Sequence, residues 1–106
     1  MAFFIKQNDT SPSLSATLTD FSGNPINLTS SSVQFHMEDL GGTIKVDSPC
    51  VISNASLGLV HYNWVTGDTD TIGTYKVEFE VTYLDSSIET FPNNGYETVV
   101  VVGEIN

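Results

Sequence analysis

Four acidic residues are candidate ligands for a divalent cation. Asp68 and Asp70 form an Asp-x-Asp pair, and Asp85 or Glu89 would add further carboxylate oxygens, the ligand type that Ca²⁺ prefers. This stretch lacks the glycine and the terminal glutamate of an EF-hand loop, and aspartates in turns commonly cap local backbone donors. We therefore predict no metal site, and a Ca²⁺-dependent adhesion module stays an alternative.

The other reactive side chains form no arrangement typical of catalysis. His36 and His61 fall on the polar faces of predicted strands, and Cys50 is the single cysteine. Neither histidine has the spacing of a metal pair, and the chain contains no Gly-x-Ser-x-Gly elbow and no phosphate-binding glycine loop. Glu78 and Glu80 share a polar strand face, where solvated charge is expected. We predict no catalytic residues, no cofactor and no enzymatic activity.

The charge balance excludes several partners. Thirteen acidic residues face three lysines and no arginine, which gives a formal net charge of −10. Nucleic acids and anionic membrane surfaces are repelled by such a chain, so neither is expected as a partner. No apolar run approaches the 18 residues that a membrane span needs, and the apolar start of the chain is too short for a signal peptide.

The elements that must position these side chains are strands. Alternation of apolar and polar residues over 75–83 is the clearest case, and shorter runs repeat the same period of two. Turn residues interrupt the runs about every ten residues, and one short turn around 28–32 is the only helical candidate. We predict one all-β domain over 1–106, an immunoglobulin-like antiparallel β-sandwich. The predicted strands lie near 2–7, 13–20, 33–39, 43–47, 50–54, 59–65, 74–84, 87–91 and 96–103.

The alternation also predicts the core and one structural corner. Asp70, Gly73 and Tyr75 match the turn that precedes a tyrosine corner, in which the tyrosine hydroxyl bonds back to upstream backbone. Tyr75 itself belongs to the inward face of its strand. The other predicted core residues, which share inward-facing strand positions, are Leu14, Leu18, Val33, Phe35, Trp64, Val77, Phe79 and Val81.

Both ends of the chain break the alternation. Phe3 and Phe4 are adjacent apolar residues near the start, and 99–102 is a run of four valines near the end. A terminal strand with two apolar faces is either covered on both sides or awaits a partner. Phe3, Phe4, Val99 and Val101 are therefore candidate interface residues.

An ordered set of segments resembles one family over nearly the whole chain. The segments are FIKQNDT (4–10), LSATLTD (14–20), GNPINLT (23–29), VQFHM (33–37), GDTDTIGTY (67–75) and ETFP (89–92). Together they resemble the N-terminal domain family of phage baseplate upper proteins, which are small immunoglobulin-like sandwiches of tailed-phage virions. No single segment is diagnostic, and the resemblance lies in their order.

The resemblance implies a structural role in a virion. It implies a non-enzymatic protein held by other virion proteins in a symmetric, multi-copy assembly, either as a baseplate or tail accessory or as a capsid decoration or cement protein. In that family the domain anchors a longer receptor-binding arm, a role that is not expected if residues 1–106 are the whole gene product. The alternative class is a secreted carbohydrate-binding or Ca²⁺-dependent adhesion module. A carbohydrate module exposes coplanar aromatic rings, whereas most aromatic residues here fall on predicted core faces.

Overall fold

The described residues form eight strands and one short 3₁₀ helix. The structure, a computed structural model, describes residues 2–93 and 95–105. The strands in chain order are β1 (Ala2–Lys6), β2 (Leu14–Thr17), β3 (Ser32–Asp39), β4 (Ile44–Asn54), β5 (Leu59–Tyr62), β6 (Gly73–Thr82), β7 (Ile88–Phe91) and β8 (Glu97–Val102). The 3₁₀ helix spans Ala55–Leu57 between β4 and β5.

The strands follow the order β1-β8-β6-β3-β4-β5-β2, and β7 pairs with β6. β1 pairs with β8 in parallel, and the other pairs are antiparallel. β4 carries the chain between two layers, because its first part pairs with β3 and its last part pairs with β5. The ring of Phe35 on β3 stacks on Tyr62 of β5 at 4.4 Å between centroids, so the two layers face each other. The predicted all-β sandwich is confirmed.

Proline at position 49 does not end a strand. The break predicted between strands 43–47 and 50–54 is wrong, because Ser48 and Pro49 lie inside β4, where Pro49 pairs opposite Gln34. Proline is tolerated where its missing N–H faces no ladder partner, as at a strand edge. β4 passes from one partner to the other directly after Cys50, so the proline sits where the strand leaves the first layer.

The predicted core residues all lie inside the sandwich. Each of the nine, Tyr75 included, keeps at most 6% of its surface exposed. Leu28, Met37, Val60 and Tyr62 complete the same cluster. Alternation along β3 and β6 explains this core, since each strand places every second side chain inward.

The last strand is central and not an edge. β8 lies between β1 and β6, and Val99 and Val101 are completely buried. Their assignment as interface residues is therefore wrong, because both side chains face the core of the sandwich. Phe3 is half-buried, whereas Phe4 keeps 65% of its surface exposed on the opposite face of β1.

Helical structure lies elsewhere than predicted. Residues 28–31 form a turn, in which Ser31 N donates to Leu28 O at 3.0 Å, and β3 begins at Ser32. The 3₁₀ helix instead follows Asn54, whose side chain accepts from Leu57 N, and it ends at Gly58 in the left-handed conformation. Among the described residues, no helix has the length and apolarity needed to cross a membrane.

Candidate functional site

An apolar cleft opens between the two layers at the side where β2 ends the strand order. It has a volume of about 390 Å³ and is partly open to solvent. The residues that line it are Ala2, Phe3, Leu14, Ser15, Ala16, Thr17, Leu18, Thr19, Val77, Phe79, Phe91, Pro92, Glu97 and Thr98. Consecutive residues of β2 thus form one wall, and β1, β6, β7 and β8 supply the rest.

The floor of the cleft belongs to the core of the sandwich. Val77, Phe79 and Phe91 are each at most 2% exposed, so the cleft reaches inward as far as the core side chains. Phe3 and Ala16 are half-buried and pack against the same core from either side. An apolar side chain that entered the cleft would contact apolar atoms on several sides and would be removed from water.

A break in the strand beside β6 shapes this opening. β7 pairs with β6 in a register that places Phe91 opposite Phe79, and β8 pairs with it in a register that places Glu97 opposite Val77. Phe91 and Glu97 are six residues apart in the chain, whereas their partners on β6, Phe79 and Val77, are only two residues apart. The chain therefore leaves the ladder between β7 and β8. Pro92, which cannot donate to a ladder, begins this excursion and borders the cleft.

One edge of β2 has no strand beside it in the part of the chain that the structure describes. Leu18 N donates to Gly58 O at 2.8 Å, which continues the register that pairs Ala16 with Val60 and Leu14 with Tyr62. Backbone groups of successive residues point to opposite edges of a strand. The N–H and C=O groups of Ser15 and Thr17 therefore point to the free edge.

A contact on β5 supports this assignment. Cys50 Sγ donates to His61 O at 3.1 Å, so the carbonyl of His61 points toward β4. Because the groups of Val60 must then point the other way, toward β2, Val60 and Ala16 are hydrogen-bonded to each other. Ser15 and Thr17, which alternate with Ala16, again face outward.

The charge around the fold is unevenly compensated. Lys45 Nζ pairs with Asp70 Oδ1, and Lys76 Nζ pairs with Glu38 at 3.1 Å. Lys6 Nζ lies 3.5 Å from the carbonyl of Gly103. Since the chain has thirteen acidic residues and no other cation besides its histidines, most carboxylates have no basic side chain to balance them.

The predicted tyrosine corner is present at the start of β6. Tyr75 OH donates to Thr71 O at 2.6 Å, and burial raises the pKa of Tyr75. Gly73 has a φ of +158°, which L residues rarely adopt, while a Cβ there would lie at ordinary contact distance, 3.8 Å, from the tyrosine ring. The backbone angle, and not a lack of space for a Cβ, thus explains glycine at this position. Asp70 sits beside the corner, where its bond to Lys45 lowers its pKa.

The four candidate calcium ligands are engaged separately. Buried Asp68 accepts from Tyr62 OH at 2.6 Å and from the amide of Val65 at 2.9 Å. Asp85 caps its own turn through Ser87, whose bonds lower the aspartate pKa, and Glu89 accepts from Tyr83 OH at 2.7 Å. Across residues 2–93 and 95–105, no group of three or more His, Cys, Asp or Glu is placed to hold a metal ion.

The two histidines lie apart on sheet surfaces. His36 Nδ1 is 3.3 Å from Asp47 Oδ1, and its Nε2 is 3.9 Å from Glu80. His61 Nδ1 is 2.5 Å from Ser53 Oγ, on strand faces that do not border the cleft. Cys50 is buried, and burial raises the pKa of its thiol to about 11. None of these groups reaches the cleft.

The sequence did not point to the cleft. Alternation in β2 marks Leu14 and Ala16 as inward-facing, but only the pairing of distant strands shows that β2 is an edge. Four aromatic residues, Tyr62, Trp64, Tyr75 and Phe79, are buried, whereas Phe4, Phe21 and Tyr96 are exposed.

Comparison with known proteins finds a shared fold. No family model matches the chain, and no curated protein matches its sequence. Among solved structures, the crystal structure of CopC from Methylosinus trichosporium OB3b is similar, with a TM-score of 0.56 and 15% sequence identity. The match covers 98% of this chain and 86% of that chain. At this identity the likeness establishes the fold, a β-sandwich, and carries over no ligand or activity.

This comparison corrects the functional expectation. The function predicted from the resemblance, a structural protein of a tailed-phage virion, is contradicted, because the similar solved structure is CopC and not a virion protein. The resemblance to the baseplate domain family is tested by no family model and stays a prediction from the sequence. The function is therefore inferred below from the geometry of the chain itself.

Proposed function

We propose that this chain is a non-enzymatic peptide-binding module, and that its binding site is the apolar cleft between β2 and the opposite layer. The observation that carries the proposal is the coincidence of two features at one place. An apolar cleft that reaches the core lies directly beside a strand edge whose backbone groups have no partner among the described residues.

A polypeptide fits both features at once. Apolar side chains such as valine or leucine gain free energy by leaving water for the surfaces of Phe3, Phe79 and Phe91. The backbone of the same ligand supplies the hydrogen-bond partners that the N–H and C=O groups of Ser15 and Thr17 lack among the described residues. A volume of about 390 Å³ is also within the range of ligand sites, roughly 300–1,000 Å³.

The proposal is tested by selecting ligands on the native protein. A random library of seven-residue peptides is panned on the immobilised protein, and the selected peptides are measured against two variants. Ala16→Phe fills the cleft from β2, while Val51→Phe adds the same ring to the exposed face of β4, at a residue that does not line the cleft. Ala16→Leu is the milder cleft-filling variant if Ala16→Phe melts early.

The two variants give opposite expectations. Selected peptides should bind the parent and Val51→Phe with equal Kd, and should lose at least about tenfold in affinity for Ala16→Phe, because an overfilled cleft admits no further side chain. Peptides that bind Ala16→Phe as well as the parent would place the site elsewhere. A library that yields no binder at all would also contradict the proposal.

A further inference from the structure

The backbone at the cleft restricts the conformation of its ligand. Ser15 and Thr17 each direct one N–H and one C=O to the free edge of β2, with one residue between them. Such a row of donors and acceptors is matched by an extended chain, which adds to the edge as a further strand. A helix satisfies its own backbone groups and leaves this row unpaired. The occupant is therefore a β-strand.

Strand geometry then sorts the side chains of that occupant. Leu14 and Ala16 face the cleft, whereas Ser15 and Thr17 are exposed on the outer face of the same layer. A strand added beside β2 continues the pleat, so every second side chain enters the cleft and the others point to solvent. The entering residues must be apolar, because Phe3, Ala16 and Phe91 surround them.

Charge decides the chemistry of the outward side chains. The chain carries a net charge of −10, and both Lys45 and Lys76 are held by carboxylates of the fold itself. Glu97 and Thr19 line the cleft, and the acidic residue Asp20 directly follows Thr19 in the chain. The negative electrostatic potential of the protein would repel an acidic strand and attract lysine or arginine side chains.

We infer that the occupant is a basic amphipathic β-strand of a partner protein, in which apolar residues alternate with lysine or arginine, added at the free edge of β2. The inference rests on the proposed function, since it uses the same cleft. It adds the conformation of the ligand, its alternation and its charge. A β2 of four residues spans about 13 Å, so a segment of roughly four to six residues fills the edge.

The test uses capped seven-residue peptides in which valine alternates with a charged residue. One peptide carries lysine, and its matched control carries glutamate at the same positions. Two further lysine peptides are N-methylated, one on the valine amides and one on the lysine amides. Because only one of these sets faces β2, methylation of one set should abolish binding and methylation of the other should leave the Kd unchanged.

Two protein variants examine the same edge from the other side. Thr17→Pro removes an N–H that points to the free edge and no bond to β5, so a proline is compatible with the fold there. Thr17→Ala is the matched control, because it shortens the side chain and keeps the N–H. The lysine peptide should bind Thr17→Pro at least about tenfold more weakly than it binds Thr17→Ala, which assigns the loss to the N–H and not to the threonine side chain.

The outcomes separate the inference from the function beneath it. The inference would be supported if the lysine peptide binds the parent and three effects are seen. Binding should weaken with added salt, depend on one methylation set and weaken for Thr17→Pro. Equal binding of the lysine and glutamate peptides, or a Kd that neither methylation set changes, would overturn the basic strand. If Ala16→Phe still blocks binding in that case, the cleft remains the binding site. Binding that Ala16→Phe leaves unchanged would overturn the cleft as well.

Discussion

The amide of Leu18 donates a 2.8 Å hydrogen bond to the carbonyl of Gly58, and this contact determines which edge of β2 is free. Because the bond points Leu18 toward β5, the alternation of the strand turns Thr17 away from it. The free edge faces the apolar cleft, where consecutive residues of β2 form a wall. The hydrogen bond between Leu18 and Gly58 on one side of β2 thus identifies the opposite side of β2 as the edge that is free to bind a ligand.

The floor of the cleft is also essential to the core. Phe79 is 2% exposed and packs on Phe35 at 5.5 Å between ring centroids. Phe79→Ala should lower the free energy of unfolding by about 3–5 kcal/mol, since it leaves a cavity and loses apolar burial. Urea unfolding measures the change. Phe21→Ala, at a residue that is 99% exposed, is the control and should be neutral. Equal stability of both variants would contradict the packing described here.

The tyrosine corner predicts the effect of a single hydroxyl group. Tyr75→Phe removes the donor to the carbonyl of Thr71 and should cost about 0.5–1.5 kcal/mol of stability, because a partly buried hydrogen bond is lost. Tyr96→Phe is a matched control, since Tyr96 is 52% exposed. Thermal or urea unfolding of both variants gives the comparison. A Tyr75→Phe variant as stable as the parent would contradict a structural role for the bond.

The buried thiol should be unreactive in the folded chain. Burial raises the pKa of Cys50 to about 11, and the thiolate is the species that attacks disulfide reagents. Modification by an aromatic disulfide at pH 8 should therefore be slow in the native protein and fast after unfolding. An exposed thiol introduced as Ser86→Cys, in a Cys50→Ala background, serves as the reactive control. Equally rapid reaction of native Cys50 would show that the side chain is accessible.

The Lys45–Asp70 pair makes a prediction about acid. The bond from Lys45 holds the pKa of Asp70 below its ordinary value, so the pair stabilises the fold above that value and the contribution is lost as the pH falls through the lowered pKa. Carboxyl titration by NMR should show the pKa of Asp70 rising in Lys45→Met. The pKa of Asp85, lowered by Ser87, should stay as it was and is the internal control. An unchanged pKa of Asp70 would mean that the pair does not form in solution.

Local pattern predicts the core and the corner, because both depend on residues that are close in sequence. The alternation of 75–83 places Tyr75, Val77, Phe79 and Val81 inward, as the structure does. The valine run 99–102 could not be interpreted in this way, since its burial depends on β1, which lies almost a hundred residues earlier.

The cleft could not be predicted from the sequence for the same reason. Nothing in the sequence around Ala16 distinguishes an edge strand from a central one, because that difference is made by which distant strand is missing. Pro49 shows the opposite error, where a residue typical of turns lies within a strand whose neighbours change at that point.

The central claim is that β2 offers a free edge that recruits a strand, and amide hydrogen exchange tests it directly. In the free protein, the amides of Ser15 and Thr17 should exchange fast, while those of Ala16 and Leu18, bonded to β5, exchange slowly. Saturation with the valine–lysine peptide should slow exchange at Ser15 and Thr17 and change it little elsewhere. Slow exchange at Thr17 without any peptide, or peptide binding that leaves Ser15 and Thr17 unprotected, would contradict the account.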